Sequence, residues 1–256
     1  MITTNLLFSP LDQFEVTSLI GFNAQILGLF NISLTNFSFY TLLTFIIIVG
    51  YHFFADNESN LILNKWSTSL EASFASLNTM VREQIGSLSE IYFPFIYSIF
   101  FFILIGNLIS NVPYSFAVNA SAIATLGLSV TIFIGVTILS LSLHGIKFFS
   151  YFVPNGTPLP LVPLLVLIEL VSYFARAVSL GVRLFANIFA GHSLLKILST
   201  FLYKLFSTSL FVAILTLIPF SIFLGIIGLE FMVSFIQSFV LTLLVCSYLK
   251  DAIELH

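Results

Sequence analysis

Long apolar runs separated by short polar joints dominate this chain. A helix that crosses a bilayer needs about 20 residues. Five runs approach or exceed that length, near 37–54, 93–111, 121–143, 161–195 and 209–249. With their flanks, the last two read as helices over 161–202 and 209–250, longer than one crossing requires, so tilt is expected. Pro113 closes the second run, and Pro154, Pro158, Pro160 and Pro163 mark the joint before the fourth. Residues 65–90 carry a different pattern. Trp66, Leu70, Phe74, Leu77, Val81, Ile85 and Leu88 fall on one face at about 100° per residue. Ser76, Arg82, Glu83 and Glu90 fall on the other side. This predicts an amphipathic helix on the membrane surface, with a soluble bundle helix as the alternative. The predicted architecture is therefore an all-α integral membrane protein, one membrane domain over 1–256. It has five membrane-embedded helices, the last two long and tilted, plus one amphipathic surface helix.

Composition strengthens that reading. The chain is 59% hydrophobic and only 7% charged, too few charges to cover a soluble domain of this size. Its 8 basic and 11 acidic residues are too sparse for a nucleic-acid surface. The single cysteine, Cys246, excludes an internal disulfide or thiolate cluster and reads as a small buried hydrophobe. No cofactor and no metal are expected. The first 36 residues hold no Lys or Arg, so the basic region of a secretory signal is missing.

Lys and Arg in the joints set the orientation. Lys65, Arg82, Lys147 and Lys250 fall on one side, and Lys196 and Lys204 on the other. This bias predicts a C-terminus facing the cytoplasm or matrix, with the N-terminus opposite. Lys147 and Lys250 also suit interfacial anchoring.

Polar residues inside the apolar runs carry the candidate chemistry. Glu169, Arg176, Arg183 and Asn187 lie within about 40° of one line on an ideal helix, and Glu169 to Arg183 spans about 21 Å. His192 lies about 180° from Arg183 and addresses another surface. On the last helix Glu230, Ser234 and Gln237 share a face, with Asp251 about 60° from Glu230 and about 31 Å further along. A guanidinium at membrane depth costs about 3 kcal/mol or more, so it normally faces a partner or a wet cavity.

Structural readings stand beside each of these. Glu169 and Arg176 could form a packing ion pair at i, i+7. His192 could be a satisfied buried imidazole, and Ser234 could be bonded back to its own helix. Asp251 could belong to a solvated terminus. As a set, carboxylate, imidazole and amide groups could pass protons, and a permanently charged Arg183 would interrupt the path.

The segment Ser-Leu-Gly-Val-Arg-Leu-Phe-Ala-Asn-Ile-Phe-Ala-Gly-His (179–192) closely resembles the signature of subunit a of the F-type ATP synthases. Leu-Glu-Phe-Met-Val-Ser-Phe-Ile-Gln (229–237) continues the resemblance. So do Pro-Tyr-Ser-Phe (113–116), Gly-Thr-Pro-Leu-Pro-Leu-Val-Pro (156–163) and Ser-Tyr-Leu-Lys-Asp-Ala (247–252). His192 and Glu230 take the mitochondrial form. Ser-Pro-Leu-Asp-Gln-Phe-Glu (9–15) resembles fungal members, in which a removed leader would put the mature start near Ser9.

The resemblance implies a non-catalytic proton-channel subunit of the Fo sector in the mitochondrial inner membrane, coupling proton flow to rotation and ATP synthesis. Its implied partners are a c-subunit ring, peripheral-stalk and other Fo subunits, the F1 head through the complex, and membrane lipids. Arg183 would separate two half-channels and meet the ring carboxylate. Asn187 and Gln237 would flank it. Glu230 and His192 would serve the intermembrane-space path, and Glu169 and Asp251 the matrix path. Arg176 and Ser234 would support them. Ala175, Gly181, Ala186 and Ala190 would let ring helices approach, or serve packing within the chain.

A proton-coupled secondary transporter is the alternative, but it would be expected to show inverted repeats. A haem subunit would need paired histidines, whereas His52, His144, His192 and His256 are scattered.

Overall fold

The computed structural model describes residues 10–26, 30–55, 64–86, 89–112, 115–153, 161–207, 212 and 215–253. Ser9, Leu88, Pro113, Pro154, Pro158, Pro160, Glu254, His256 and the expected start of the last helix at 209 lie outside them.

Among the described residues six long helices follow the hydrophobic pattern: α1 (Asn36–Ala55), α2 (Lys65–Ile85), α3 (Ser89–Ser110), α4 (Ala122–His144), α5 (Val162–Phe206) and α6 (Leu217–Ile253). All but α2 are long and apolar enough to cross a membrane. At 1.5 Å per residue, the 45 residues of α5 span about 67 Å and the 37 of α6 about 55 Å. Both exceed the hydrocarbon thickness of about 30 Å, so neither can stand upright within it.

Local chemistry sets the ends. Thr35 and Ser38 exchange reciprocal bonds at the start of α1, Thr35 N to Ser38 Oγ at 3.2 Å and Ser38 N to Thr35 Oγ1 at 3.3 Å. Asn64 caps α2 by accepting from Lys65 N at 2.8 Å. That helix stops at Ile85 rather than running to 90, because Gly86 takes a φ of 78° that suits a residue without Cβ.

On α2, Leu77, Val81 and Ile85 are buried, as is Met80, whereas Trp66 and Phe74 stay exposed. The buried side packs on α6, α1 and α3. A shared core joins α2, α3, α4, α5 and α6 through Val81, Ile103, Ile132, Leu184 and Val245. Cys246 is free and fully buried within it.

The hydrophobic pattern predicts no element over residues 18–35. They form an antiparallel hairpin, β1 (Ser18–Ile26) with β2 (Phe30–Thr35), pairing Ser18 with Thr35 and Ile20 with Leu34. Register shifts follow Ser18 and Gly21. Those irregularities break the strict alternation by which a strand is read from sequence.

Candidate proton-path site

The two longest helices form the seam that carries the site. Arg176 meets Asp251, Asn187 meets Gln237, and Gly191 meets Glu230, so positions rise on α5 as they fall on α6. The helices are therefore antiparallel, and the contacts cover about 22 Å of α5. Gly181 sets the packing of α5 on α4. A Cβ there would come within 3.0 Å of both Leu126 Cδ2 and the Thr125 carbonyl oxygen. Gly181 thus serves packing inside the chain, while Ala175, Ala186 and Ala190 remain exposed.

At one end of the seam lies a cavity of about 850 Å³, whose lining includes His192, Glu230, Asn111, Lys196 and Tyr40. His192 Nε2 and Glu230 Oε1 are buried without a hydrogen-bond partner among the described residues. Buried polar atoms are normally satisfied, and in a polar, roomy cavity water is the available partner. A narrower void of about 20 Å³ shares Asn111, His192 and Glu230 with it and is also lined by Asn187 and Ser234. It has room for about one water molecule.

Ser234 is bonded back to its helix, Oγ to Glu230 O at 2.9 Å, but also accepts from Asn111 Nδ2 at 2.8 Å. It therefore ties α3 to the turn of α6 that carries Glu230. Asn107, fully buried on the same face of α3, accepts from Asn119 Nδ2 at 2.7 Å.

Midway along the seam, Asn187 Nδ2 donates to Gln237 Oε1 at 2.8 Å. Arg183 is exposed one helical turn before Asn187, in a shallow crevice with Gln237, Leu180 and Leu244. Among the described residues it has no ion pair and no hydrogen bond. Val178 and Val182 beside it are also exposed, 52% and 44%, so its surroundings on that surface are apolar.

At the other end, Arg176 Nη1 holds Asp251 Oδ2 at 3.0 Å and donates to Tyr151 Oη at 3.1 Å. Its Nη2 lies 3.9 Å from Glu169 Oε1. Sequence spacing suggested a pair of Glu169 with Arg176; the fold makes a triad, and Asp251 is the closer member. Side-chain exposures of 30–38% put all three at the edge of the protein rather than in its core.

Sequence reasoning passed over Gln13, Asn111, Asn107 and Asn119. For Asn107 and Asn111 the signal was present, since they stand four apart in an apolar helix as Glu230 and Ser234 do. Gln13 and Asn119 had no comparable pattern around them.

Fold and site together define a multi-pass helical membrane protein with polar groups strung along one seam and a single exposed guanidinium midway. A family profile described as ATP synthase A chain matches residues 38–250. The protein called ATP synthase subunit a in Mycosarcoma maydis is 60% identical over 251 residues, covering 98% of this chain and 99% of its own length. Its namesake in Yarrowia lipolytica is 49% identical, covering 97% and 98%. That of Saccharomyces cerevisiae is 45% identical, covering 97% and 96%. The chain belongs to the ATP synthase A chain family. Its function is proton translocation in the membrane Fo sector, and nothing in sequence or fold favours the solute-coupled transporter.

Proposed function

We propose that the seam carries two proton half-channels separated by Arg183, working against a ring of c subunits in the mitochondrial inner membrane. The observation behind this reading is the order of groups: the Glu230 and His192 cavity, the Asn187–Gln237 pair, Arg183, then the Arg176–Asp251–Glu169 triad.

In this reading protons enter from the intermembrane space through the cavity. Glu230 and His192 exchange them with water, and the void beside Asn187 and Ser234 leads them toward the ring. A ring carboxylate must be neutral in lipid, because a charge there is costly. Opposite Arg183 its charged form is favoured, since guanidinium supplies the counter-charge and keeps its own proton. The exposed position of Arg183 on an apolar surface fits this, because its partner would come from another polypeptide. Asn187 and Gln237 fix each other's amides beside the guanidinium. On the far side Glu169 and Asp251 receive protons for release to the matrix, with Arg176, itself bonded to Tyr151, holding the Asp251 carboxylate in place. The N-terminus faces the intermembrane space and the C-terminus the matrix. The chain itself is non-catalytic, and nucleotide chemistry belongs to the F1 head carried by the complex.

Arg183→Ala is the test. It should abolish ATP-driven proton pumping while the complex still assembles, and normal pumping would sink the separator role. Purification in mild detergent should co-isolate a c ring and an ATPase head; recovery of this chain alone would point to a solute transporter instead.

A further inference from the structure

Four buried side-chain polar atoms lack a partner among the described residues: Gln13 Nε2, Ser140 Oγ, His192 Nε2 and Glu230 Oε1. Three of them, on Gln13, His192 and Glu230, belong to residues that line the same cavity of about 850 Å³. Gln13 reaches it from a short 3-10 turn, Pro10–Phe14, remote in sequence from both other residues.

That turn is anchored from two sides. The Phe14 ring lies 4.8 Å from that of Phe189 on α5, and Phe14 packs against the cluster of Ala117, Ala120 and Ile188. Just beyond it, the Asn36 side chain donates to Glu15 O at 3.0 Å and accepts from Thr17 N at 3.2 Å. Fixed backbone therefore presents the Gln13 amide to the cavity wall.

The chemistry of the three atoms is complementary. An amide nitrogen only donates, a carboxylate oxygen accepts, and an imidazole nitrogen does either according to its proton. An amide also carries no titratable charge, so it can orient water without trapping the proton that passes. The charged or titratable side chains around the cavity are Glu230, His192, Lys196 and Tyr40.

We propose that Gln13 is a positioning residue of the proton entrance, orienting cavity water for proton exchange with Glu230 and His192, so that the N-terminal turn forms one wall of the channel. This rests on reading the cavity as the entrance.

The test uses the complete complex reconstituted in liposomes, with proton flux normalised to intact complex. Gln13→Met keeps the volume and removes the donor. It should lower flux roughly three- to tenfold, the range expected when one hydrogen bond is lost. Gln13→Glu keeps the length but donates only when protonated. It should recover flux only at low pH on the cavity side and make flux depend more steeply on pH there. Unchanged flux in Gln13→Met overturns the proposal. So does a Gln13→Glu profile identical to that of the unaltered protein, which is what a merely structural role would give. If Gln13→Met does not assemble, the Gln13→Glu profile decides. Arg183→Ala is run in parallel. Lost pumping there with indifferent Gln13 variants sinks the Gln13 role alone, whereas retained pumping sinks the channel reading itself.

Discussion

Gly191 on α5 faces the Glu230 carboxylate on α6 so closely that a Cβ at position 191 would collide with Glu230 Oε1. The glycine is required for room rather than for backbone freedom. The obstructed atom is the far end of a flexible side chain, so the helices need not separate. Gly191→Ala should leave assembly intact and push the carboxylate aside. Misplacing a reacting group by about 1 Å can slow transfer by up to about 100-fold. Proton flux per intact complex measures this, and normal flux would show that the Glu230 position is not critical.

Asn187 and Gln237 should behave as a unit. Asn187→Leu and Gln237→Leu each strand the other's amide beside the seam. Together they should cost less than the sum of the singles, with a coupling of about 0.5–1.5 kcal/mol. Thermal unfolding of the four purified complexes gives the coupling. Strict additivity would mean that the 2.8 Å bond contributes nothing.

Gly181→Ala meets the Thr125 backbone as well as side chains. Backbone cannot swing away, so α4 and α5 must part. The expected loss is about 1–3 kcal/mol, the usual result of overpacking. A lowered yield and melting temperature of the complex would register it. The contrast with Gly191→Ala is the informative result: one glycine substitution should impair stability and the other transfer.

Asp251→Asn removes the nearer anion of the Arg176 triad. Because these side chains are about one-third exposed, the stability loss should stay near 1 kcal/mol. Proton release should fall further than stability does, if Asp251 lies on the exit path. Equal and small effects on both would leave Asp251 as an ion-pair partner of Arg176 only. Measuring flux and melting temperature on the same preparation separates the two.

Hydrophobic runs alone determined the five helices long and apolar enough to cross a membrane. In lipid every backbone group must be satisfied within its own segment, so a long apolar run has few structures open to it. The polar stripes of α5 and α6 were also legible, because helical period places Arg183 with Asn187 and Glu230 with Ser234 whatever surrounds them.

Tertiary structure decided which stripes meet. Arg176 is closest to Asp251, 75 residues away, rather than to its own-helix neighbour Glu169. That choice follows from the antiparallel register of α5 and α6, and the close approach at Gly191 belongs to the same arrangement. Packing across helices likewise gave Gly181 to α4. It brought Gln13, from a turn with no periodic signal, to the cavity of Glu230 and His192. Period fixes angle and rise within one helix, but it carries no information about the neighbour that fills the space opposite.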